Sequence, residues 1–181
     1  MVSYFNEETL TQNMIYHGKI FQLMSNTVRL PNQKNTTRDV VIHPGAVALL
    51  PVHENNIILV RQYRYAIQQV TLELPAGTLR ESEKPEECAH RELMEETGHS
   101  ANRLEKLFEC YLAPGYSSEH VTIFLATDLS EQRQDLDEDE FIQVVTVTLP
   151  EAIELIHRNK IMDTKTIAGI LYFKHLKQNS N

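Results

Sequence analysis

The feature that most constrains this chain is a short helix carrying too many like charges on one side. Over residues 84–97 the apolar side chains recur with a helical period. Pro85 suits the first turn and Gly98 suits the residue just past the end. Glu92 precedes Glu95 by three residues and Glu96 by four, spacings that put all three carboxylates on one helix face. At about 100° per residue they share an arc of roughly 100°. Each like-charged pair so placed costs about 0.2–0.5 kcal/mol unless a cation offsets it. Geometry alone leaves two readings open. Either Arg91 and Lys84 balance a solvated acidic face, or the three carboxylates hold a hard divalent ion through oxygen.

The wider composition narrows the field. A chain of 181 residues suits one domain with a sizeable core. Its formal charge of −8 removes the electrostatic footprint of a general nucleic-acid binder. Of the 25 acidic residues, 13 crowd into 81–96 and 131–140, the second run holding Asp135, Asp137, Glu138, Asp139 and Glu140. No apolar stretch approaches the length of a membrane span, and the N-terminus shows neither a basic nor an apolar leader region. Cys88 and Cys110 form no CxxC motif or disulfide framework, so both read as buried, inert thiols of a reduced, cytoplasmic protein. The eight histidines show no HxxxH spacing and are not assigned to metal.

The pattern predicts short strands and turns over the first forty residues. Alternation runs through 15–23, a brief strand at 28–30 meets the turn Pro31-Asn32, and another strand covers 38–42. Strands at 46–52 and 57–63 form a hairpin whose loop is longer than the tight two-residue type. A strand at 70–74 stops at Pro75-Ala76-Gly77, and the acidic helix follows. Strands at 104–112 and 120–126 then flank the loop Ala113-Pro114-Gly115-Tyr116-Ser117-Ser118, and a further strand covers 141–149. Helices at 150–158 and 164–176 close the chain, the latter capped by Asp163 or Thr164. Strands mixed with three helices predict an α+β or α/β domain. Residues 1–42 form an N-terminal antiparallel β segment, 43–177 the main domain, and 178–181 a frayed tail.

The residues flanking the helix choose between its two readings. The segment from Gly77 to Gly98 resembles the Nudix box, matching every fixed position at Gly77, Glu83, Arg91, Glu92, Glu95, Glu96 and Gly98. His99 departs from it where an aliphatic residue is usual, a matter of packing. The resemblance implies an α/β/α sandwich and a loop–helix–loop that binds Mg²⁺, or Mn²⁺, and hydrolyses a nucleoside diphosphate linked to another group. It places the metal on Glu92, Glu95 and Glu96 with help from the Ala76 carbonyl, and pairs Glu83 with Arg91 in a structural role. Metal ions invert the local charge, so an acidic pocket can accept a pyrophosphate.

Outside the box, Pro114 sixteen residues after Gly98, the run from Arg38 to Ala48, and Arg61-Gln62-Tyr63-Arg64 resemble the ADP-ribose pyrophosphatase branch. Gln33 stands in a turn where that branch often has glycine. The branch implies hydrolysis of ADP-ribose to AMP and ribose 5-phosphate, with other nucleoside diphosphate sugars as the alternative substrates. Arg64 would contact the diphosphate through its planar fork, and Glu119 would shape the ribose side or an outer metal position. Ile20, Arg38 and Asp39 would reach adenine across a homodimer interface. A silent nucleotide sensor is the competing class, and it has no need of Arg91, Glu92, Glu95 and Glu96 together. With the box carboxylates committed as ligands, a base must come from elsewhere. The resemblance to the branch, anchored on Glu140-Phe141-Ile142-Gln143-Val144, implies Glu138, with Glu140 the runner-up. The N-terminal strands, rich in apolar residues, are expected to cross to a second copy.

Overall fold

A computed structural model describes residues 5–136, 138 and 140–179. The chain divides into two compact units, Met1–Gly45 with Tyr111–His120, and Ala46–Cys110 with Val121–Asn181.

The first unit is an antiparallel sheet built around β3 (Gln22–Arg29). β1 (Glu8–Thr11) and β2 (Met14–His17) pair with it, and so does β4 (Asn35–Ile42). The stretch predicted as one strand at 15–23 is therefore two, split at Gly18, whose amide donates to the Phe21 carbonyl at 3.0 Å. Residues 28–30 do not form a separate strand, because Val28 and Arg29 end β3. The β3–β4 turn closes through Leu30 and Lys34, with Gln33 in the left-handed region at φ +66°. That conformation is one glycine adopts without strain, and Gln33 adopts it here. The Ala113–Ser118 loop is stitched to β4, since Val41 donates to the Tyr116 carbonyl and accepts from the Ser118 amide.

The second unit holds β5 (Ala46–His53), β6 (Asn56–Arg64), β7 (Gln69–Glu73), β8 (Ala76–Thr78) and α1 (Pro85–Thr97). It continues through β9 (His99–Tyr111), β10 (His120–Glu131), β11 (Gln143–Thr148), α2 (Leu149–His157) and α3 (Thr164–Asn179). The last residues of β9 and the first of β10 belong to the first unit. The sheet order is β11-β6-β5-β10-β9, with β7 on β6 and β8 on β5. β10 runs parallel to β5, and β6 and β8 run antiparallel to it.

Alternation along β5 buries both faces of this sheet. Val47 and Leu49 join Cys88, Ala89 and Leu93 of α1 and Phe124 of β10 in one apolar cluster. Leu50 turns to the other side, where Gly169 of α3 lies against Leu74, Ile123 and Leu50. A Cβ at Gly169 would come within 2.9 Å of Leu74 Cδ1, so this glycine sets how closely α3 can approach. Helices therefore cover each face, an α+β architecture that holds α1 against β5 and β8.

Several boundaries differ from the sequence expectation for local reasons. The β5–β6 connection is a tight two-residue one, because Glu54 and Asn55 both adopt left-handed φ of +48° and +70°. Ala76 and Gly77 do not simply end a strand; with Thr78 they form β8. β11 begins at Gln143, leaving Phe141 outside it and exposed. Cys110 is only half-buried. α3 continues to Asn179 through the first half of the predicted tail, whose residues 180 and 181 lie outside the described residues. No helix among the described residues is long and apolar enough to cross a membrane.

Candidate active site

α1 begins where the Glu87 carboxylate accepts from the Lys84 amide and ends at Gly98, in the left-handed region at φ +67°. One side of the helix carries Cys88, Ala89 and Leu93 into the core. Glu92 and Glu96, also buried, press against β8. The Ala76 amide donates to Glu96 Oε2 at 2.9 Å, which sets the β8 backbone beside the carboxylates. A Cβ at Gly77 would overlap the Glu92 carboxyl group, so only glycine leaves room for that carboxylate under the strand.

Arg91 holds the cluster together. Its Nε and Nη2 donate to the two oxygens of Glu83 at 2.8 and 2.9 Å, the fork predicted from the sequence. Its Nη1 also reaches Glu92 Oε1 at 2.5 Å and Glu95 Oε2 at 2.9 Å. The Arg91 hydrogen bond lowers the Glu83 carboxyl to about 2. Among the described residues no side-chain cation contacts the Glu96 carboxylate, and burial pushes its carboxyl up to about 8. Burial raises Glu92 as well. The charge of Glu140 adds to the upward push on both, and Glu138 and Glu140 are both exposed. Asp137 and Asp139 lie outside the described residues. Cys88 Sγ sits 3.7 Å from the Thr78 carbonyl oxygen, and burial raises its thiol to about 12, consistent with an inert role.

Arg64 occupies a second network, one the sequence reading missed. Its Nε and Nη2 donate to the two oxygens of buried Glu73 at 2.8 and 2.7 Å. Lys165 Nζ donates to Glu73 Oε2 at 2.7 Å and pairs with Asp163 Oδ1 at 2.9 Å. Thr71 Oγ1 completes the shell of Glu73 at 2.6 Å. The available signal was a glutamate inside the apolar strand 70–74, where a charge needs a partner. Nothing in the spacing named Lys165, 92 residues away.

The remaining predicted residues belong to the first unit. Arg38 is tied to Glu7 by two bonds of 3.0 and 2.6 Å, and Asp39 accepts from Ser25 Oγ at 2.6 Å. Ile20 is exposed. Glu119 is half-buried, its amide donating to Ser117 Oγ at 3.1 Å.

Among the described residues no three acidic, histidine or cysteine side chains stand in ligand geometry for a metal ion. Arg91 draws Glu92 and Glu95 to itself, and the Ala76 amide holds Glu96. The donor set nevertheless fits a hard divalent cation. All its donors are oxygens, two carboxylates are buried on one helix face, and burial makes those two harder to ionise without a neighbouring cation.

The comparisons agree with this geometry. A NUDIX domain model matches residues 42–168. The chain is 43% identical over 171 residues to an ADP-ribose pyrophosphatase of Bacillus subtilis (strain 168), covering 93% of this chain and 92% of that protein. It is 38% identical to a methanol dehydrogenase activator of Bacillus methanolicus, covering 94% of each. In fold it is similar to the crystal structure of an ADP compounds hydrolase, at TM-score 0.89 and 23% identity, covering 100% of this chain and 99% of that one. The chain belongs to the Nudix family. Within it, this is a Nudix pyrophosphohydrolase of the ADP-ribose pyrophosphatase-like kind.

The buried Glu73 gives a pH test. Burial alone would raise its carboxyl, but the Arg64 bond and the Lys165 charge outweigh that and lower it from 4.5 to about 2. A carboxyl depressed on folding contributes stability that is complete above about 4.5 and lost as pH falls toward 2. Urea unfolding from pH 7 to 2 should therefore show wild type losing its margin over Glu73→Gln across that window. A constant margin would contradict the ion pairing.

Proposed function

We propose that this protein hydrolyses the pyrophosphate bond of ADP-ribose, giving AMP and ribose 5-phosphate. The intact carboxylate face of α1 beneath Gly77 carries this reading. The identity shared with an ADP-ribose pyrophosphatase along nearly the whole chain supports the choice of substrate. Mg²⁺, with Mn²⁺ as substitute, would be held by Glu92, Glu95 and Glu96 with the Ala76 backbone. Such an ion, when bound, neutralises phosphate charge and lowers the pKa of a coordinated water.

The chain supplies the rest. Arg91 orients Glu92 and Glu95 from one side and is itself fixed by Glu83. Arg64 engages the diphosphate of the substrate. A carboxylate of the acidic loop takes the proton of the attacking water. The resemblance to the ADP-ribose pyrophosphatase branch favours Glu138 for that task, and the electrostatic reach of Glu140 toward Glu92 and Glu96 favours Glu140. Ile20, Arg38 and Asp39 serve the adenine side, and Glu119 the ribose side. Because Arg38 is already paired with Glu7, stacking on a base has to use the face of the guanidinium and not its edge.

We also propose a homodimer. The first unit exposes Met14, Ile15, Tyr16, Ile20 and Phe21, a concentration of large apolar side chains that suits association with a second copy.

Four measurements check these statements. Glu96→Gln preserves size but removes a ligand charge, and should lower ADP-ribose turnover by about 10²-fold or more, as should excess chelator with wild type. Normal hydrolysis in either case sinks the metal assignment. A panel of nucleoside diphosphate sugars, assayed by coupled phosphate release, tests the substrate. Glu138→Gln and Glu140→Gln, compared at saturating Mg²⁺, should separate by about 10²–10⁴ in kcat, the larger loss marking the base. Equal wild-type rates exclude both. Light scattering at micromolar concentration should give twice the 20.9 kDa chain mass, and a monomer would refute the dimer.

A further inference from the structure

Arg64 is held in an unusual manner for a residue that meets a substrate. Two of its three nitrogens are committed to Glu73, and Nη1 makes no hydrogen bond among the described residues. Its side chain is 42% exposed, while that of Glu73 is 3% and that of Lys165 10% exposed. The network thus runs from a buried end at Lys165 to an open end at Arg64. The open end lies within electrostatic reach of Glu96, since Glu96 helps to raise the Arg64 pKa and Arg64 lowers that of Glu96.

Stability does not account for this arrangement. A buried ion network is a weak source of folding energy, and well-packed apolar side chains serve a core as well. The charges of Arg64 and Lys165 are balanced by those of Glu73 and Asp163, so the group carries no net charge to attract an anion from afar. What the network does supply is direction. Asp163 caps α3 by accepting from the Thr166 amide at 3.0 Å, which fixes Lys165 in the first turn of that helix. Thr166 Oγ1 accepts from the Leu74 amide at 2.8 Å, which pins the same turn to the chain just after Glu73. Lys165 is thereby placed to hold one oxygen of Glu73, and Glu73 takes two edges of a planar fork whose third is left outward.

We propose that Glu73 and Lys165 are positioning residues for diphosphate recognition, with Lys165 anchoring Glu73 and Glu73 holding Arg64 so that Nη1 is presented to the substrate. This rests on the reading of Arg64 given above. It deepens that reading by assigning a task to α3, an element outside the Nudix box.

The test separates direction from charge. Glu73→Gln makes the site more positive by one charge, so simple attraction predicts tighter binding of an anion. Positioning predicts the reverse. Calorimetric binding of ADP in the presence of Mg²⁺, together with KM and kcat for ADP-ribose, should show Glu73→Gln weakening affinity and raising KM by about tenfold, the worth of one charge-assisted hydrogen bond, with kcat less affected. In an Arg64→Ala background the same substitution should change affinity no further, because its effect passes through Arg64. Lys165→Met should reproduce the loss and Lys165→Arg should largely restore it, with melting temperatures recorded for each. Unchanged or tighter ADP binding in Glu73→Gln overturns the proposal, as does an equal loss in the Arg64→Ala background. Should Glu73→Gln not fold, the contrast between Lys165→Met and Lys165→Arg decides in the same way. A wild type that binds ADP but leaves ADP-ribose intact removes the proposed reaction and leaves the binding result to judge positioning. A wild type that binds no ADP removes the positioning role.

Discussion

One guanidinium makes the acidic helix possible. Without Arg91, three carboxylates on adjacent turns of α1 would repel one another in a partly buried setting, where charge is costly to leave unpaired. Arg91 answers three acids at once, with two nitrogens on Glu83 and one shared between Glu92 and Glu95. The contact with Glu83 also anchors the loop before α1, so the same interaction closes the segment that starts at Gly77. Among the described residues the Glu96 carboxylate has only the Ala76 amide as a hydrogen-bond partner. Arg80 adds a longer contact to Glu95 at 3.6 Å, and the imbalance between these two arginines and four carboxylates is what makes this face receptive to a further cation.

The backbone around this face is shaped by close approach. Gly77 gives Glu92 its space, and β8, although only three residues long, supplies the amide that meets Glu96. Hydrogen bonds to β5 hold β8 there, and α1 packs on the same strand through Leu93, Ala89 and Cys88. The site is thus mounted on the central strand of the larger sheet.

The sequence disclosed the local parts of this design and concealed the distant ones. α1 was legible to within a residue because Pro85, Gly98 and the spacing of Glu92, Glu95 and Glu96 are near neighbours obeying one period. The Arg91–Glu83 pair was readable for the same reason, through its fixed place in the box. The tight turn at Glu54-Asn55 was misjudged because left-handed φ at a glutamate leaves no compositional trace. β8 escaped notice since Pro75 and Gly77 look like punctuation, yet pairing with β5 decides their conformation. Nothing in the sequence around Lys165 marks it as a partner of Glu73, and only the fold brings the two together.

That last contact has a bearing on how the chain is made. Glu73 and Lys165 are separated by 92 residues, so during synthesis the glutamate emerges long before the lysine that helps to satisfy it. The same holds for the Leu74 amide and Thr166. Until α3 has left the ribosome, the end of β7 has polar groups it cannot bury at low cost, and the face of the sheet later covered by α3 stays wet. Completion of the larger unit is thereby tied to the arrival of its C-terminal helix. A nascent chain stopped short of Lys165 would carry the whole Nudix box without the clasp that closes the sheet behind it.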